Sequence, residues 1–316
     1  ATGTITFTFT FSEAVTGFAA EDITITNGSK GIFSGSGTTY TLVVTPTPAS
    51  SGTVTVDVTA GAASDGAGNG SVAPAQYSQV YDTRAAVVQL LTASSNDGNL
   101  AIGEAITISL TFSDAVTLDG SGTPELELSN GATATYSSGS GTTSLVFTYT
   151  PSVADAETTT LEIKTLNLNG ATLEDGLGRS VDLSGADNVI LTPEVAVDTS
   201  VPDLESLVIS SATGAQNNWL NAGDEVSVTA KFSEAVTVTG APQLSLNIGG
   251  AATIATYVSG SGTNELVFSY TVLAGDSDAD GISIDANSLS LNGGTIADGA
   301  GNGLSLIHIS EPTRQA

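Results

Sequence analysis

The 316-residue chain contains no cysteine and a single histidine. Without cysteine it cannot form disulfide bonds, a cysteine-ligated zinc site or a thiol nucleophile. Ser-His and Cys-His catalysis both require an imidazole, and the one histidine, His308, lies in an atypical C-terminal segment described below. The sequence therefore predicts a protein that is not an enzyme.

Positive charge is also scarce, because only 6 Lys and Arg residues face 33 Asp and Glu residues, giving a net charge of −27. Binding to nucleic acid or to an anionic membrane needs clustered cations, so neither is an expected partner. The excess negative charge favours solubility and attracts cations, above all divalent ones. No apolar run in the sequence approaches the roughly 20 residues of a membrane-spanning helix, so membrane insertion is not expected.

Three sequence boxes recur along the chain in the same order. They are FSEAVT, at Phe11–Thr16, Phe112–Thr117 and Phe232–Thr237; SGSGTT, at Ser34–Thr39, Ser138–Thr143 and Ser259–Asn264; and DGAGN, at Asp65–Asn69, Asp175–Arg179 and Asp298–Asn302. Their spacing is about that of one small domain. A fixed order at a fixed spacing indicates tandem repeats of one structural unit.

Two short segments mark the boundaries between these units. An Asp-Thr pair follows an apolar stretch in YDTRA at Tyr81–Ala85 and in VDTSVP at Val197–Pro202. We place the boundaries there, which defines repeat one, repeat two and repeat three as residues 1–82, 83–198 and 199–303. On this division repeat one lacks the strand expected before Thr4, and repeat three lacks the strand expected after Gly303. Only repeat two is then complete.

The last residues, 304–316, break the repeat pattern and contain His308 and Arg314. Their sequence, LSLIHISEPTRQA, resembles the translation of a sequencing adapter read into an open frame. We interpret them as a non-native tail, in which His308 and Arg314 have no functional meaning. The alternative is a genuine strand followed by a tail.

Apolar and polar residues alternate strictly before each FSEAVT box. In repeat one, Ile5, Phe7, Phe9 and Phe11 are separated by threonines, and the same alternation precedes the other two boxes. A period of two predicts a strand with one face in a core and the other in water, as in the antiparallel sheets of a sandwich. Asn-Gly pairs supply turns that tolerate a positive φ, at Asn27, Asn130, Asn169 and Asn292. No segment has the pattern of a long amphipathic helix, so the predicted fold class is all-β.

The boxes FSEAVT, SGSGTT, AGDSDADG (274–281) and DGAGN together resemble tandem bacterial immunoglobulin-like repeats of large RTX-like surface adhesins. The resemblance covers nearly all of residues 1–303. It implies immunoglobulin-like antiparallel β-sandwiches in a linear array, located outside the cell or on the bacterial surface. It further implies a stalk, or extender, that holds a distal ligand-binding domain away from the cell, with calcium often stiffening the junctions. The implied partners are neighbouring repeats of the same chain and an adhesion ligand of unknown identity.

Acidic residues recur where the loops of such sandwiches meet. The N-terminal linker, the B–C loop and the F–G loop of an immunoglobulin-like domain lie at one pole. If the strand that ends at the phenylalanine of the FSEAVT box is strand B, the acidic residue of that box converges with the linker. The turn formed by the first four residues of the DGAGN box, called here the DGxG turn, converges there too. The candidate metal ligands are then Asp198, Asp203, Glu234, Asp298 and Asn302 at the junction of repeats two and three, and Asp82, Asp114 and Asp175 at the junction of repeats one and two.

Clustered carboxylates need either a cation or protonation, because several negative charges cannot share a small volume at neutral pH. Calcium, which takes six to eight oxygen ligands, is the expected structural cofactor, and magnesium is less suitable because it retains its waters. The alternative is that these acids belong to ordinary solvated turns. Arg179 stands where the other repeats have Asn69 and Asn302. If that position donates an oxygen, the first junction should bind calcium more weakly.

Two other functions remain open. The repeats could be accessory modules of a large secreted hydrolase, or they could themselves bind glycans or a receptor. Trp219, the only tryptophan, could stack on a sugar, although a partly buried core or edge position is the expected one. The acidic run at Asp276–Gly281 resembles the opening of an EF-hand loop, but its twelfth position is Asn287 rather than glutamate. A tight acidic turn is expected there, with a local calcium site as the alternative.

Overall fold

A computed structural model describes residues 3–94 and 98–306 of the chain. Within these residues the regular structure consists of β-strands and two short 3-10 helices, and no helix is long and apolar enough to cross a membrane. Buried apolar side chains form three separate cores, which draw on residues 7–81, 86–197 and 204–304. The predicted all-β fold class, with antiparallel sheets packed as sandwiches, is confirmed.

Repeat one contains five strands and one 3-10 helix (Ala20–Asp22) from residue 3 onward, where its description begins. The strands are β1 (Ile5–Val15), β2 (Ile23–Thr26), β3 (Gly28–Pro46), β4 (Ser51–Val58) and β5 (Tyr77–Asp82). β1 pairs with β3 in one sheet, and β2, β4 and β5 pair in that order in a second. Phe7 of the first sheet and Tyr77 of the second meet edge to face, and Phe18, in the segment after β1, makes edge contacts with Phe9, Phe11 and Tyr40 of the first sheet.

The described residues of repeat two form ten strands and a 3-10 helix (Ser184–Ala186). The strands are β6 (Val88–Ala93), β7 (Asn99–Leu100), β8 (Ile106–Asp119), β9 (Glu125–Leu128), β10 (Thr133–Ser138), β11 (Thr142–Tyr149), β12 (Glu162–Asn167), β13 (Thr172–Asp175), β14 (Val189–Ile190) and β15 (Ala196–Val197). β8 is central, because its first half lies between β6 and β11 and its second half pairs with β13.

Repeat three follows the same plan with seven strands among the described residues. They are β16 (Leu204–Thr213), β17 (Glu225–Thr239), β18 (Gln243–Ile248), β19 (Ala251–Ser259), β20 (Thr263–Thr271), β21 (Leu289–Ser290) and β22 (Thr295–Ala297). The first half of β17 lies between β16 and β20, and its second half pairs with β22.

The FSEAVT box is the point at which this central strand changes partners. The apolar residues before the box in repeat two, Ile108, Leu110 and Phe112, are almost completely buried, as the alternation predicts. After the box, β8 pairs with β13, which ends at Asp175, and Asp175 lies opposite Val116. Since β22 likewise ends directly before Asp298, the DGxG turn lies beside the box acid. This pairing positions the candidate site.

The SGSGTT box forms the turn between two strands in repeats two and three. Gly260 and Thr263 close this turn in repeat three through a hydrogen bond from the Thr263 amide to the Gly260 carbonyl (3.0 Å). Gly260 has a φ of +111°, and a Cβ added to it would lie 2.0 Å from the carbonyl oxygen of Glu265. The turn therefore requires glycine for both conformation and space. In repeat one the box instead lies within the long strand β3.

Replacing Gly260 by alanine is expected to destabilise repeat three. The strained backbone alone costs about 1–3 kcal/mol, and the clash of the new Cβ with the Glu265 carbonyl oxygen should add to that cost. Differential scanning calorimetry should show a lower melting temperature for repeat three only. Gly262→Ala is the control for conformation alone, since Gly262 also has a positive φ but a Cβ there would meet no atom within 4 Å. Equal destabilisation by the two variants would contradict the steric explanation.

Of the four Asn-Gly pairs predicted above to form turns, three have the expected positive φ at asparagine: Asn27, Asn169 and Asn292. Asn130 is the exception. Its buried side chain donates to the Tyr149 hydroxyl (2.7 Å), which in turn donates to Asp155 (2.9 Å). Burial raises the pKa of Tyr149, and the carboxylate of Asp155 adds to this shift. Asn130 is therefore part of a hydrogen-bonded network with Tyr149 and Asp155 and does not supply a positive-φ turn position.

The predicted non-native tail begins at a residue that packs in the core of repeat three. Leu304 is buried, and its amide donates to the Ile296 carbonyl (2.8 Å). Residues 307–316, including His308 and Arg314, lie outside the described residues. The interpretation of residues 304–316 as a tail stays a prediction, as do the repeat boundaries.

Candidate cation sites at the repeat junctions

The DGxG turn is organised by its own aspartate. In repeat three, Asp298 Oδ1 accepts hydrogen bonds from the amides of Ala300 (2.9 Å), Gly301 (2.7 Å) and Asn302 (2.9 Å), and Asp298 Oδ2 accepts one from Asn302 Nδ2 (2.9 Å). Asp65 and Asp175 hold their turns in the same way. Asp175 and Asp298 are each 4% exposed. Simple solvated turns therefore do not describe these two acids.

Asn302 joins repeat three to repeat two. Its Nδ2 atom donates to the carbonyl oxygen of Asp198 in the linker (3.1 Å), and its Oδ1 atom accepts from the amide of Ile102 (2.8 Å) in repeat two. The site on Gly301 where a Cβ would lie is 3.9 Å from the side chain of Ala101. The turn of one repeat thus contacts both the linker and a loop of the preceding repeat.

The acids predicted for the second junction influence one another. Glu234 has a raised pKa because burial disfavours its charged form, and the negative charges of Asp298, Asp198, Glu157 and Asp203 raise it further. Burial also raises the pKa of Asp198, with smaller contributions from two of the same acids. The structure therefore brings the four predicted acids into one electrostatic neighbourhood.

Glu157 is a member of this neighbourhood that the sequence reasoning missed. It lies in the loop between β11 and β12 of repeat two, and its Oε1 atom accepts a hydrogen bond from Ser200 in the linker. Asp155 in the same loop accepts from Thr199 through its backbone carbonyl (3.0 Å). The loop between β11 and β12 of repeat two therefore contacts the linker to repeat three. Its place at the end of repeat two that faces this linker is the signal that could have identified Glu157.

The raised pKa values indicate that burial, and to a smaller extent the neighbouring negative charges, disfavours the ionised forms of Asp198 and Glu234 at the second junction. A group whose folded pKa lies above its unfolded value contributes stability fully below the unfolded pKa, here 3.8 for Asp198 and 4.5 for Glu234. That contribution is lost as the pH rises through the folded pKa. A bound cation would favour the ionised form of both acids and offset their repulsion.

The first junction contains arginine instead. Arg84 binds Asp82 with two nitrogens, Nη2 to Oδ2 (2.7 Å) and Nε to Oδ1 (3.1 Å), and these hydrogen bonds lower the pKa of Asp82 to about 2. The charge of Arg179 also lowers that pKa, and the charge of Asp114 raises the pKa of Arg84. Two guanidinium groups thus lie among the acids predicted to bind calcium here.

Arg179 pairs with the buried acid of its own turn. Its Nε atom lies 2.8 Å from Asp175 Oδ2, and the side chains are 25% and 1% exposed. Burial works to raise the pKa of Asp175, but hydrogen bonds from the Arg179 and Leu177 amides and from the Arg179 side chain outweigh it, so the pKa is lowered. Nη1 of Arg179 is buried and has no hydrogen-bond partner among the described residues. Arg179 therefore stabilises the turn through the hydrogen bond from Nε and through the charge of its guanidinium group.

The two junctions thus differ in the charge that faces their acids. Within residues 3–94 and 98–306, no three Asp, Glu or His side chains are arranged to hold a metal ion. The ligand sets named from the sequence remain predictions. Both arginines of the described residues, Arg84 and Arg179, lie at the first junction.

Trp219 is 63% exposed, so the expectation of a partly buried core or edge position is wrong. It ends a tight turn in which Asn217 and Asn218 have φ values of 53° and 65°, and this turn directs the indole outward. Beside it lies a cleft of about 440 Å³ whose lining includes Asp276 and Asp278.

The acidic run that borders this cleft is a tight turn, as expected. Asp276 accepts from the Tyr270 hydroxyl (2.6 Å), and Asp278 Oδ1 accepts from the amides of Asp280 (3.1 Å) and Gly281 (3.0 Å). No helix flanks the run in the part of the chain that the structure describes, so it is not an EF-hand.

Comparison with known proteins agrees with the fold of repeat one. Residues 1–81 match the bacterial Ig-like domain family. The match covers repeat one, and repeats two and three share its sequence boxes. No curated protein sequence matches the chain.

Three solved structures are similar at 14% sequence identity each. FdeC, an Escherichia coli adhesin, aligns over 96% of this chain and 91% of its own with a TM-score of 0.35. InvD of Yersinia pseudotuberculosis aligns over 95% and 93% with a TM-score of 0.21. An endo-fucoidan hydrolase of glycoside hydrolase family 107 aligns over 89% of this chain and 40% of its own with a TM-score of 0.19. Scores this low carry no argument about function.

Proposed function

We propose that the chain is a structural stalk segment of a large bacterial cell-surface or secreted adhesin and is not an enzyme. The contact made by Asn302 carries this proposal, because one side chain connects the turn of repeat three to the linker and to repeat two. The same box recurs in every repeat. A box that recurs at fixed intervals along a chain serves the repeating architecture rather than one unique reaction.

The arrangement of the acids supports a structural role. A glycosidase needs two carboxylates on opposite sides of one substrate cleft. Asp175 and Asp298 are instead buried in repeated turns, where backbone amides bind their oxygens. Such carboxylates serve the local fold and the junction.

We further propose that calcium stiffens the second junction. Asp198, Asp203, Glu234 and Asp298, with Glu157 added, would supply carboxylate oxygens, and hard cations prefer such ligands. The support for this proposal is the mutual repulsion of these acids and the scarcity of positive charge around them. At the first junction Arg84 and Arg179 already supply positive charge, so we propose that calcium binds more weakly there.

A stalk predicts an elongated particle. Three sandwiches of about 30–40 Å each, placed end to end, give a maximum dimension of roughly 90–120 Å. Small-angle scattering of residues 1–303 should reach this range in calcium, and Asn302→Ala should broaden the distance distribution by loosening one junction. A compact particle whose repeats pack side by side would contradict a stalk.

The exposure of Trp219 favours a second candidate function, glycan binding. A sugar ring stacked on the indole would shift its emission, and Trp219 is the only tryptophan that can respond. Titration with neutral and acidic oligosaccharides should then give a saturable shift, and Asp278→Asn should weaken it. Unchanged emission across the panel would eliminate this candidate.

The third function, accessory modules of a large secreted hydrolase, would require a catalytic domain encoded in the same gene. Sequencing the complete gene tests this directly. The junction contacts described above do not distinguish it from an adhesin stalk.

A further inference from the structure

The threonine of each Asp-Thr pair is bound to the repeat that precedes the linker. At the first junction, Thr83 Oγ1 donates to the carbonyl oxygen of Thr47 (2.6 Å), and the Thr83 amide donates to the carbonyl oxygen of Ser50 (2.8 Å). At the second junction, Thr199 Oγ1 donates to the carbonyl oxygen of Asp155 (3.0 Å). The acceptors lie in equivalent loops, which follow β3 in repeat one and β11 in repeat two.

The serine of the FSEAVT box is bound to the linker from the other side. Ser113 Oγ accepts a hydrogen bond from the Val87 amide (3.1 Å), and the Ser113 amide donates to the Val87 carbonyl (3.0 Å). Ser233 makes the same pair of bonds with Asp203, each at 2.9 Å. The hydroxyl proton of Ser113 is donated to Asp114 Oδ2 (2.9 Å), which leaves its oxygen as an acceptor for the amide. The box serine therefore fixes the end of the linker to the following repeat.

These two attachments leave a spacer of the same length at both junctions. The spacer consists of residues 84–86 at the first junction and residues 200–202 at the second. Its last residue, Ala86 or Pro202, is buried. The chain from the threonine to the residue held by the box serine can therefore extend to at most about 14 Å. Two spacers with different sequences, RAA and SVP, share one bound length.

The aspartate of each pair starts the spacer in the same way at both junctions. Asp82 Oδ1 accepts from the Arg84 amide (3.0 Å), and Asp198 Oδ1 accepts from the Ser200 amide (3.1 Å). A side-chain oxygen that binds the amide two residues later forms an Asx turn. The path of the linker is thus alike at a junction that contains arginine and at one that does not.

The groups that hold the linker are uncharged. Backbone amides, backbone carbonyls and the hydroxyls of threonine and serine make the bonds at both junctions. Such groups neither titrate at physiological pH nor need a cation to offset their charge. The attachment of the linker is therefore separable from the electrostatics of the neighbouring acids.

We propose that the linker threonine and the box serine form a two-point anchor that holds adjacent repeats together without a cation. The threonine binds the linker to the preceding repeat, the serine receives it on the following repeat, and the spacer limits their separation. The inference rests on the proposed stalk and deepens it, because it gives the serine of the recurring FSEAVT box a partner, the linker of the preceding repeat. Calcium, where it binds, then restricts bending about the spacer.

The test measures hydrogen exchange of the linker amides, residues 198–203, in the chain of residues 1–316 with a chelator present. Thr199→Val keeps the shape of the side chain and removes the donor. Exchange should become about 2–10-fold faster, the factor that corresponds to the loss of one typical hydrogen bond. Thr199→Ser retains the hydroxyl and should keep the wild-type rates. Thr83→Val should act in the same way on the amides of the first linker.

The box serine is tested with a matched control. Ser233→Ala should accelerate exchange at the Asp203 amide, which loses its acceptor. Ser12 occupies the same box position in repeat one but lies at neither junction, so Ser12→Ala should leave both linkers unchanged.

Two results would overturn the proposal. One is a wild-type linker that is unprotected in chelator and becomes protected only with calcium, because the cation would then hold it. The other is equal exchange in the wild type and in Thr199→Val, or equal exchange in the serine and valine variants. The scattering experiment tests the stalk separately: a compact wild-type particle refutes the stalk, whatever the linker exchange, and an elongated particle with unchanged exchange refutes the anchor alone.

Discussion

Glu234→Gln is expected to raise the stability of repeat three without calcium and to remove most of its stabilisation by calcium. The substitution keeps the size of the side chain and deletes one of several mutually repelling charges. Repulsion at the cation-free junction therefore falls, and so does the number of anionic ligands. If the Glu234 side chain only packed against its neighbours, the substitution would change the stability of repeat three in the same direction with and without calcium.

The size of the calcium effect follows from linkage. Extracellular calcium modules bind with dissociation constants of about 10⁻⁴–10⁻³ M, so ~10 mM calcium stabilises the folded state by about 1.4–2.7 kcal/mol. For one repeat of ordinary domain size this raises the melting temperature by roughly 6–20 °C. Trp219 reports on repeat three alone, so thermal unfolding followed by its emission isolates the relevant transition.

Repeat one offers a matched control for this experiment. Glu13 occupies the same box position as Glu234, and Glu13→Gln should leave the calcium response of the Trp219 transition unchanged. A calcium-insensitive wild-type transition would contradict calcium binding at the second junction. The stalk would then have a flexible connection at that point, and the scattering experiment would still test its elongation.

Much of the fold could be predicted from periodicity. Alternation before the boxes identified the strands around Phe9, Leu110 and Ala230, because one face of a sandwich strand is buried and the other is wet. Asn130 did not follow its local pattern, since its side chain completes a buried network with Tyr149. Tertiary partners of this kind leave no mark in a local sequence pattern.

Only the part of the candidate site that follows from strand order could be predicted from the sequence. The acids of the DGxG turn and the FSEAVT box came together because strands β13 and β22 end beside the box. Glu157 was missed, since its proximity depends on how the preceding repeat meets the linker. Arg84 was not assigned a role either, although it stands two residues after Asp82 and binds it directly.

Arg179→Asn is expected to make the first junction dependent on calcium. Asparagine at this position can keep the hydrogen bond to the turn aspartate, as Asn69 and Asn302 do at 2.8 and 2.9 Å. It removes the positive charge beside Asp175, whose side chain is 1% exposed. Removing the cation from this largely buried ion pair is destabilising, which should lower the melting temperature of repeat two in the absence of calcium. Calcium should restore most of that loss.

The reverse substitution supplies the matched variant. Asn302→Arg would place a guanidinium group at the second junction, and we expect it to reduce the calcium response of repeat three at the cost of the contact with Ile102. Calorimetry of both variants, with calcium and with a chelator, distinguishes two roles for arginine. If Arg179→Asn destabilises repeat two and calcium restores nothing, the arginine stabilises the turn alone. If calcium restores it, arginine and calcium are alternative ways to neutralise the same acids, and the sequence at this one position sets which junctions of the array respond to calcium.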